Sequence, residues 1–330
     1  MQRSARCCLW PRCCLWLIGL LATAACAAAE EQAQTLLRDM YEATRALNYD
    51  GIFVYQRGAQ LETMRLVHMN DAGTVHERLI SLSGPAREVI RDGTRVTCLF
   101  ADDAAAMEKK GRPHDLISIG FSAPVETLIA NYRFVVEGTE RIANRTAQVI
   151  GVMPYHDDRY GYRLWVDTSS KLLLKSMILG SGGRVLEQMQ FAQITLLETA
   201  DPALLQPEIA GTGFTWRTDP EDGTAAAVAR QQTGWRVQWL PVGFELEETN
   251  IEPMATSPTP VGQLVYSDGL AMVSVFIEQL LHDEVPLQGY SARGAVNAFS
   301  RVDDKHQITV VGELPLPTVR QIAASIARVE

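Results

Sequence analysis

Three places in this sequence hold side chains of a type that could do chemistry. His156, Asp157 and Asp158 adjoin one another in HDDRY at 156–160 and could hold a metal or exchange a proton. Consecutive residues cannot converge from separate elements, so a solvated loop between strands accounts for them better. His68 and His76 flank the turn signal NDAG. A three-residue loop at Asp71, Ala72 and Gly73 would pair His68 with His76, Leu66 with Arg78 and Met64 with Ile80, and would set Val67 near Glu77 on the other face. No carboxylate or cysteine at a matching spacing joins the two imidazoles, so cross-strand packing is expected there instead of a metal site. Ser267, Asp268 and Gly269 read as a hairpin turn and not as a nucleophile.

The wider motif search is negative. GxSxG, HExxH and P-loop patterns are absent, and the six histidines are scattered at 68, 76, 114, 156, 282 and 306. Nothing in the residues calls for a cofactor or a metal, and an enzyme is not expected.

The elements that must carry any site are mostly strands. Residues 31–47 have apolar positions near helical spacing, with Leu36, Leu37, Met40, Tyr41 and Ala43 or Thr44 on one side. GIFVYQR, LETMRLVHM, TVHERLISL, REVIRD and TRVTCLF then follow between short turn signals, which is an antiparallel meander. A helix is predicted over 123–132, followed by further strands at YRFVVEGT, RTAQVIGVMP, YGYRLWVDT, KLLLKSMILG and RVLEQMQFAQITLL. Tyr160, Tyr162, Leu164 and Val166 alternate with Gly161, Arg163, Trp165 and Asp167, so one face of that strand is apolar. Both parities of KLLLKSMILG are largely apolar, which asks for cover on both sides by helices or by an apolar ligand.

The first 29 residues read as an export signal. Arg3, Arg6 and Arg12 precede the 17-residue apolar run Cys13–Ala29, which is short for a membrane span and ends in small residues. Cys26 after Ala24 and Ala25 leaves a lipid-modified cysteine open as the alternative. Five of the six cysteines lie in this segment, so Cys98 stands alone beyond it and no intramolecular disulfide can form. In an oxidising compartment it reads as a small buried hydrophobe. The net charge is −9, and about −12 without the three leader arginines, which disfavours nucleic acid as a partner.

About 300 remaining residues exceed the usual single core, which favours two domains. From Asp201 to Thr233 the texture turns to proline, glycine, acid and alanine without a period, as a linker does. A second unit starts near Trp235, with a helix predicted at YSARGAVNAFS and a last helix at PTVRQIAASIARVE, where Pro317 sits in the first turn. The predicted division is a signal at 1–29, an N-terminal domain at 30–210, a linker at 211–234 and a C-terminal α+β domain at 235–330.

LNYDGIFVYQRG, HERLISLSGPAREVIRDG, DRYGYRLWVDTSSKLLLKSMIL, LEQMQFAQI, WLPVGF at 239–244, YSDGLAMVSVFIE and ITVVGELP stand in an order that resembles the RseB/MucB family of sigma-E regulators over most of the chain. The resemblance implies an α+β protein. Its N-terminal domain would be a half-open antiparallel β-barrel with helices on its concave face, similar to lipoprotein carriers. It also implies a periplasmic negative regulator that binds the periplasmic part of a transmembrane anti-sigma factor of the RseA or MucA type and shields it from site-1 proteolysis. Lipopolysaccharide or another acyl lipid in the N-terminal cavity would release it; homo-oligomers are left open.

For that cavity the residues to expect are Phe53, Tyr55, Met64, Leu66, Ile80, Tyr162, Leu164, Met177 and Leu179, each of which could equally be plain core. Lys109, Lys110 and Arg112 could meet lipid phosphates, or form an exposed charged loop. For the anti-sigma contact, Trp239, Phe244, Tyr266 and Phe276 are candidates, although aromatics there could build the small core instead. A lipid carrier and a periplasmic hydrolase are the rival readings. The carrier would not need a second domain of this size, and the hydrolase lacks a nucleophile motif.

Overall fold

The computed structural model describes residues 12–101, 105–110, 124–199, 201–209, 215–218, 234–253, 257, 259–281 and 285–329; side chains are described from residue 28 onward, outside 105–110, 215–218 and 252–253. The helix expected at 31–47 is the end of a longer one, α1 (Arg12–Ala46). Ala33, Leu36, Leu37 and Met40 recur at helical spacing and are all buried, because this stripe packs on the sheet. Among the described residues no helix is long and apolar enough to cross a membrane.

One large sheet follows, built from β1 (Tyr49–Arg57), β2 (Gln60–Asp71), β3 (Thr74–Ser81), β4 (Arg87–Asp92), β5 (Arg95–Phe100) and β6 (Ala105–Lys110), then β7 (Tyr132–Ile142), β8 (Arg145–Pro154), β9 (Gly161–Asp167), β10 (Leu173–Leu179), β11 (Val185–Leu196) and β12 (Thr215–Thr218). The strand order is β12-β6-β5-β4-β3-β2-β1-β11-β10-β9-β8-β7, antiparallel throughout except for the parallel β12–β6 pair. It does not close into a barrel, since β12 and β7 each pair with one neighbour. The helix expected at 123–132 is shorter than that: residues 124–132 are described, and only the single turn α2 (Val125–Leu128) is helical, with 129–131 a turn and Tyr132 already in β7. Arg38 of α1 clips α2 through Glu126 at 2.6 Å.

The β2–β3 hairpin corrects the predicted register. Ala72 and Gly73 have φ of 49° and 94°, a two-residue turn of type I′ that matches strand twist, whereas the three-residue loop would leave one residue unpaired. Every partner shifts by one: His68 faces Glu77, Leu66 faces Leu79 and Met64 faces Ser81. A one-residue slip changes the face of every side chain. Ile80 therefore shares the face of Arg78 and Glu88, away from Met64 and Leu66.

This register also buries charge in an ordered way. His68 Nδ1 lies 3.0 Å from Glu77, and Arg91 reaches the same carboxylate at 3.5 Å. On the opposite face Arg78 pairs with Glu88 at 2.9 Å. The stretch that follows β11, still within the predicted N-terminal domain, is tied to this second pair. A 3-10 turn at Pro202–Leu205 offers the Leu204 carbonyl to Arg78 at 3.2 Å, and the Ile209 N–H donates to Glu88 at 2.9 Å.

The remaining strands are β13 (Trp235–Val237), β14 (Glu245–Pro253), β15 (Pro260–Ser267), β16 (Met272–Gln279), β17 (Gly289–Arg293), β18 (Val296–Asp303), β19 (His306–Gly312) and β20 (Ile326–Arg328). Six form a sheet in the order β14-β15-β16-β19-β18-β17, and β13 pairs with β20. The helix expected over 290–300 is the β17–β18 hairpin instead. Gly294, at φ 64°, turns the chain, and pairing of β18 with β19 outweighs the helical propensity of the alanines. The last helix, α3 (Leu316–Ala324), has proline in its first turn and buries Val319, Ile322 and Ala323 against this sheet.

Removing the Glu77 carboxylate would leave Arg91 and His68 as buried polar groups without it. Glu77→Ala is expected to lower unfolding stability by about 3–5 kcal/mol, measured by urea titration, whereas a loss under about 1 kcal/mol would show that this network carries no stability.

Candidate functional site

The two motifs set aside as loop and turn meet between the sheets. Asp268 sits in the β15–β16 turn, where its Oδ1 accepts the N–H groups of Leu270 and Ala271 at 3.0 and 2.8 Å. That turn fixes its other oxygen toward the large sheet. Arg159, from HDDRY, donates to Asp268 Oδ2 at 2.5 Å, to Asp158 at 2.8 Å and to the Val242 carbonyl at 2.6 Å. The Arg159 and Asp268 side chains are 1% and 0% exposed. Tyr132 donates to the same Asp268 oxygen at 2.9 Å. Burial, with the Asp268 charge beside it, pushes the Tyr132 phenol well above its ordinary pKa and keeps it a neutral donor. The guanidinium also lies 5.3 Å from the Phe244 ring centre.

A second contact lies beside this one. Asn297 donates to the Tyr160 hydroxyl at 2.9 Å and to the Leu314 carbonyl at 2.7 Å, and Thr318 donates to the Asp158 carbonyl at 2.9 Å. Leu270 and Ala295 join the apolar cluster of α1, β7, β8 and β9. The two sheets thus share one polar and apolar junction.

Next to the junction lies a cavity of about 370 Å³. Its apolar wall is Phe53, Met64, Leu79, Ile178 and Met189, and its polar wall includes Arg57, Glu62, Arg87, Glu187, Arg293 and Glu313. Glu187 organises the polar side. Tyr55 donates to it, Arg57 reaches it at 3.4 Å, and the Ala295 N–H of the β17–β18 turn donates to it at 2.8 Å. A Cβ on Gly294 would fall 2.3 Å from Glu187 Oε1 and 2.5 Å from Arg57 Cγ, so only glycine lets this turn approach. Glu313 is held up at a pKa of about 7, by burial first and then by the Glu187 charge.

Of the expected lipid-site residues, Phe53, Tyr55 and Met64 line this cavity. Leu66 is buried in the same sheet's core, and Tyr162 and Leu164 are buried in the neighbouring cluster under α1. Ile80, Met177 and Leu179 do not line it. The register slip gives Leu79 to the cavity in place of Ile80, and on β10 the lining residues are Ser176 and Ile178, of the opposite parity to Met177 and Leu179. Lys109 and Lys110 lie on β6, opposite Val96 and Arg95, with side chains outside the described set; Arg112 lies outside the described residues.

The expected partner residues separate in the same way. Phe244 and Tyr266 are buried in the small core with Trp239 packed against it, and Phe244 also meets Arg159. Phe276 stands between the buried Val275 and Ile277 on the alternate face of β16. Sequence reasoning missed Arg159, Asp268, Glu187 and Glu313. An arginine beside three polar neighbours was the one available signal, and a single charged residue in a turn carries no sign of what it will face.

Asp268→Ala would take from the buried Arg159 the fully buried one of its two carboxylate partners and is expected to cost about 3–5 kcal/mol in urea unfolding. Asp158→Asn, with a partly exposed acceptor, is expected to cost under about 1 kcal/mol. Equal losses for the two would refute the ranking.

A family model described as the MucB/RseB N-terminal domain matches residues 32–209, and one described as the MucB/RseB C-terminal domain matches residues 229–327. The sigma factor AlgU regulatory protein MucB of Pseudomonas aeruginosa is 35% identical over 319 residues, covering 93% of this chain and 94% of its own length. The sigma-E factor regulatory protein RseB of Escherichia coli K12 is 28% identical, covering 93% of this chain and 94% of its own. A crystal structure of MucB in complex with MucA(peri) superposes with a TM-score of 0.70 at 31% identity, over 90% of this chain and 99% of that one. The chain belongs to the MucB/RseB family of sigma-factor regulatory proteins, and it is a regulator and not an enzyme.

Proposed function

We propose that this chain is a periplasmic negative regulator. It binds the periplasmic part of a transmembrane anti-sigma factor of the MucA or RseA type and shields it from site-1 proteolysis, so that the sigma factor stays sequestered. Residues 1–29 would be the export signal, with domains at 30–210 and 235–330 joined by a linker at 211–234. The observation that carries this reading is the likeness, over nine-tenths of the chain, to MucB in its complex with MucA(peri).

Release by lipopolysaccharide or another acyl lipid is the second half of the proposal, and the cavity beside the junction supports it. A lipid can free the anti-sigma factor only if it binds the free regulator better than the complexed one. Moving the regulator from mostly bound to mostly free takes roughly 5 kcal/mol of differential affinity. Burial of acyl methylenes at about 0.8 kcal/mol each could supply that.

Mixing the purified protein with the periplasmic segment of its organism's anti-sigma factor should give saturable heat in calorimetry. The complex should also resist a site-1 protease that cuts the free segment. Lipopolysaccharide should weaken binding and restore cleavage. Absence of binding under every condition would reject the regulator reading, and binding that lipid leaves unchanged would reject the release step.

A further inference from the structure

The charges around the cavity are unequally engaged. Arg57 is held by Tyr55 and Glu187, and Arg87 is paired with Glu62. Arg293 is different: its guanidinium donates to the neutral Gln60 side chain at 2.6 and 3.2 Å, and no ion pair to a carboxylate is formed by it among the described residues. It is exposed, and it lines a cavity that Phe53, Met64, Leu79, Ile178 and Met189 also line. The buried Ser176 hydroxyl, which also lines the cavity, has no hydrogen-bond partner within the protein.

We propose that the cavity takes one acyl chain bearing an anionic group, the chain lying on the apolar wall and the anion on Arg293. This rests on the lipid-binding reading above and gives the ligand a chemical class. A cavity of about 370 Å³ lies at the lower end of the range for small-molecule sites, which suits one medium-length chain better than several. Arg293 belongs to β17 and the apolar wall to the large sheet, so a ligand held this way contacts both sides of the junction. A free fatty acid, or one chain of a larger anionic glycolipid, would present the same chemistry.

The charged surroundings set a pH dependence. Glu313 shares the cavity with Tyr55 and Arg57 of β1, Glu62 of β2, Arg87 of β4, Glu187 of β11 and Arg293 of β17. Its carboxyl, raised to about 7, is neutral below that pH and adds a negative charge above it. An anion therefore binds better on the acid side, with proton uptake by Glu313, and its affinity declines as pH rises through about 7.

Dodecanoate, uncharged monododecanoylglycerol and lipopolysaccharide would each be titrated into the purified protein by calorimetry, the first two below micelle formation. Dodecanoate is expected to bind one to one and about tenfold tighter than the glycerol ester. Arg293→Gln should abolish that difference by weakening dodecanoate alone, and Ile178→Trp should weaken both by filling the wall. Dodecanoate affinity should fall roughly fivefold from about pH 6 to about pH 8.5, and Glu313→Gln should flatten the decline. Competition by lipopolysaccharide that Arg293→Gln also weakens would identify a chain of the larger lipid as the source; dodecanoate binding without competition would identify the free acid. Equal affinity for the two dodecanoyl compounds, or an Arg293→Gln variant that binds dodecanoate normally, would overturn the anion assignment. Lipopolysaccharide binding without dodecanoate binding would overturn the single-chain class and leave lipid release standing, whereas binding of neither would remove both.

Discussion

The ion pair between Arg159 and Asp268 is the contact on which the arrangement of the two sheets depends. Both side chains are withdrawn from water, so each needs the other. The cost of burying them is met locally by five further hydrogen bonds. Asp268 accepts two backbone N–H groups and the Tyr132 hydroxyl, and Arg159 donates to Asp158 and to the Val242 carbonyl. A pair held this way has a narrow range of tolerated geometries. It fixes the turn between β15 and β16 against the connection that leads into β9 more sharply than apolar packing would.

With that registration in place, the β17–β18 hairpin falls onto β1 and β11. The backbone N–H of Ala295 reaches Glu187 only because Gly294 has no side chain. The cavity is a consequence of this docking. Its apolar wall belongs to the large sheet, while Arg293 and Glu313 come from the smaller one. A ligand there touches both units, and any change in their separation alters its site. By reciprocity, a ligand bound there would bias any equilibrium between docked and separated forms.

Release of a bound partner, as proposed above, would need two states close in free energy. Buried charge pairs suit such a role better than a continuous apolar interface, because they contribute orientation while adding little net stability. The large sheet has a second set of buried charges, His68–Glu77–Arg91 and Arg78–Glu88, and the second pair ties the chain leaving β11 back onto β3 and β4. The route between the two units therefore starts from a fixed point.

The strands were legible in the sequence because burial on one face imposes a period of two, and most predicted segments coincide with observed ones: REVIRD is β4 and RTAQVIGVMP is β8. The apolar face of Tyr160, Tyr162, Leu164 and Val166 was also readable, and all four are buried. Register was not readable, because a two-residue and a three-residue loop both fit NDAG, and that choice decided whether Leu79 or Ile80 faced the cavity. The 290–300 segment misled for a related reason, its local propensity being overruled by β19 alongside it. The sequence by itself determined periodicity, charge, the absence of catalytic motifs and the family. Only the tertiary structure decided that Arg159 meets Asp268 and that Glu187 meets Gly294, since contacts separated by more than a hundred residues leave no local pattern and are selected by how the two sheets pack.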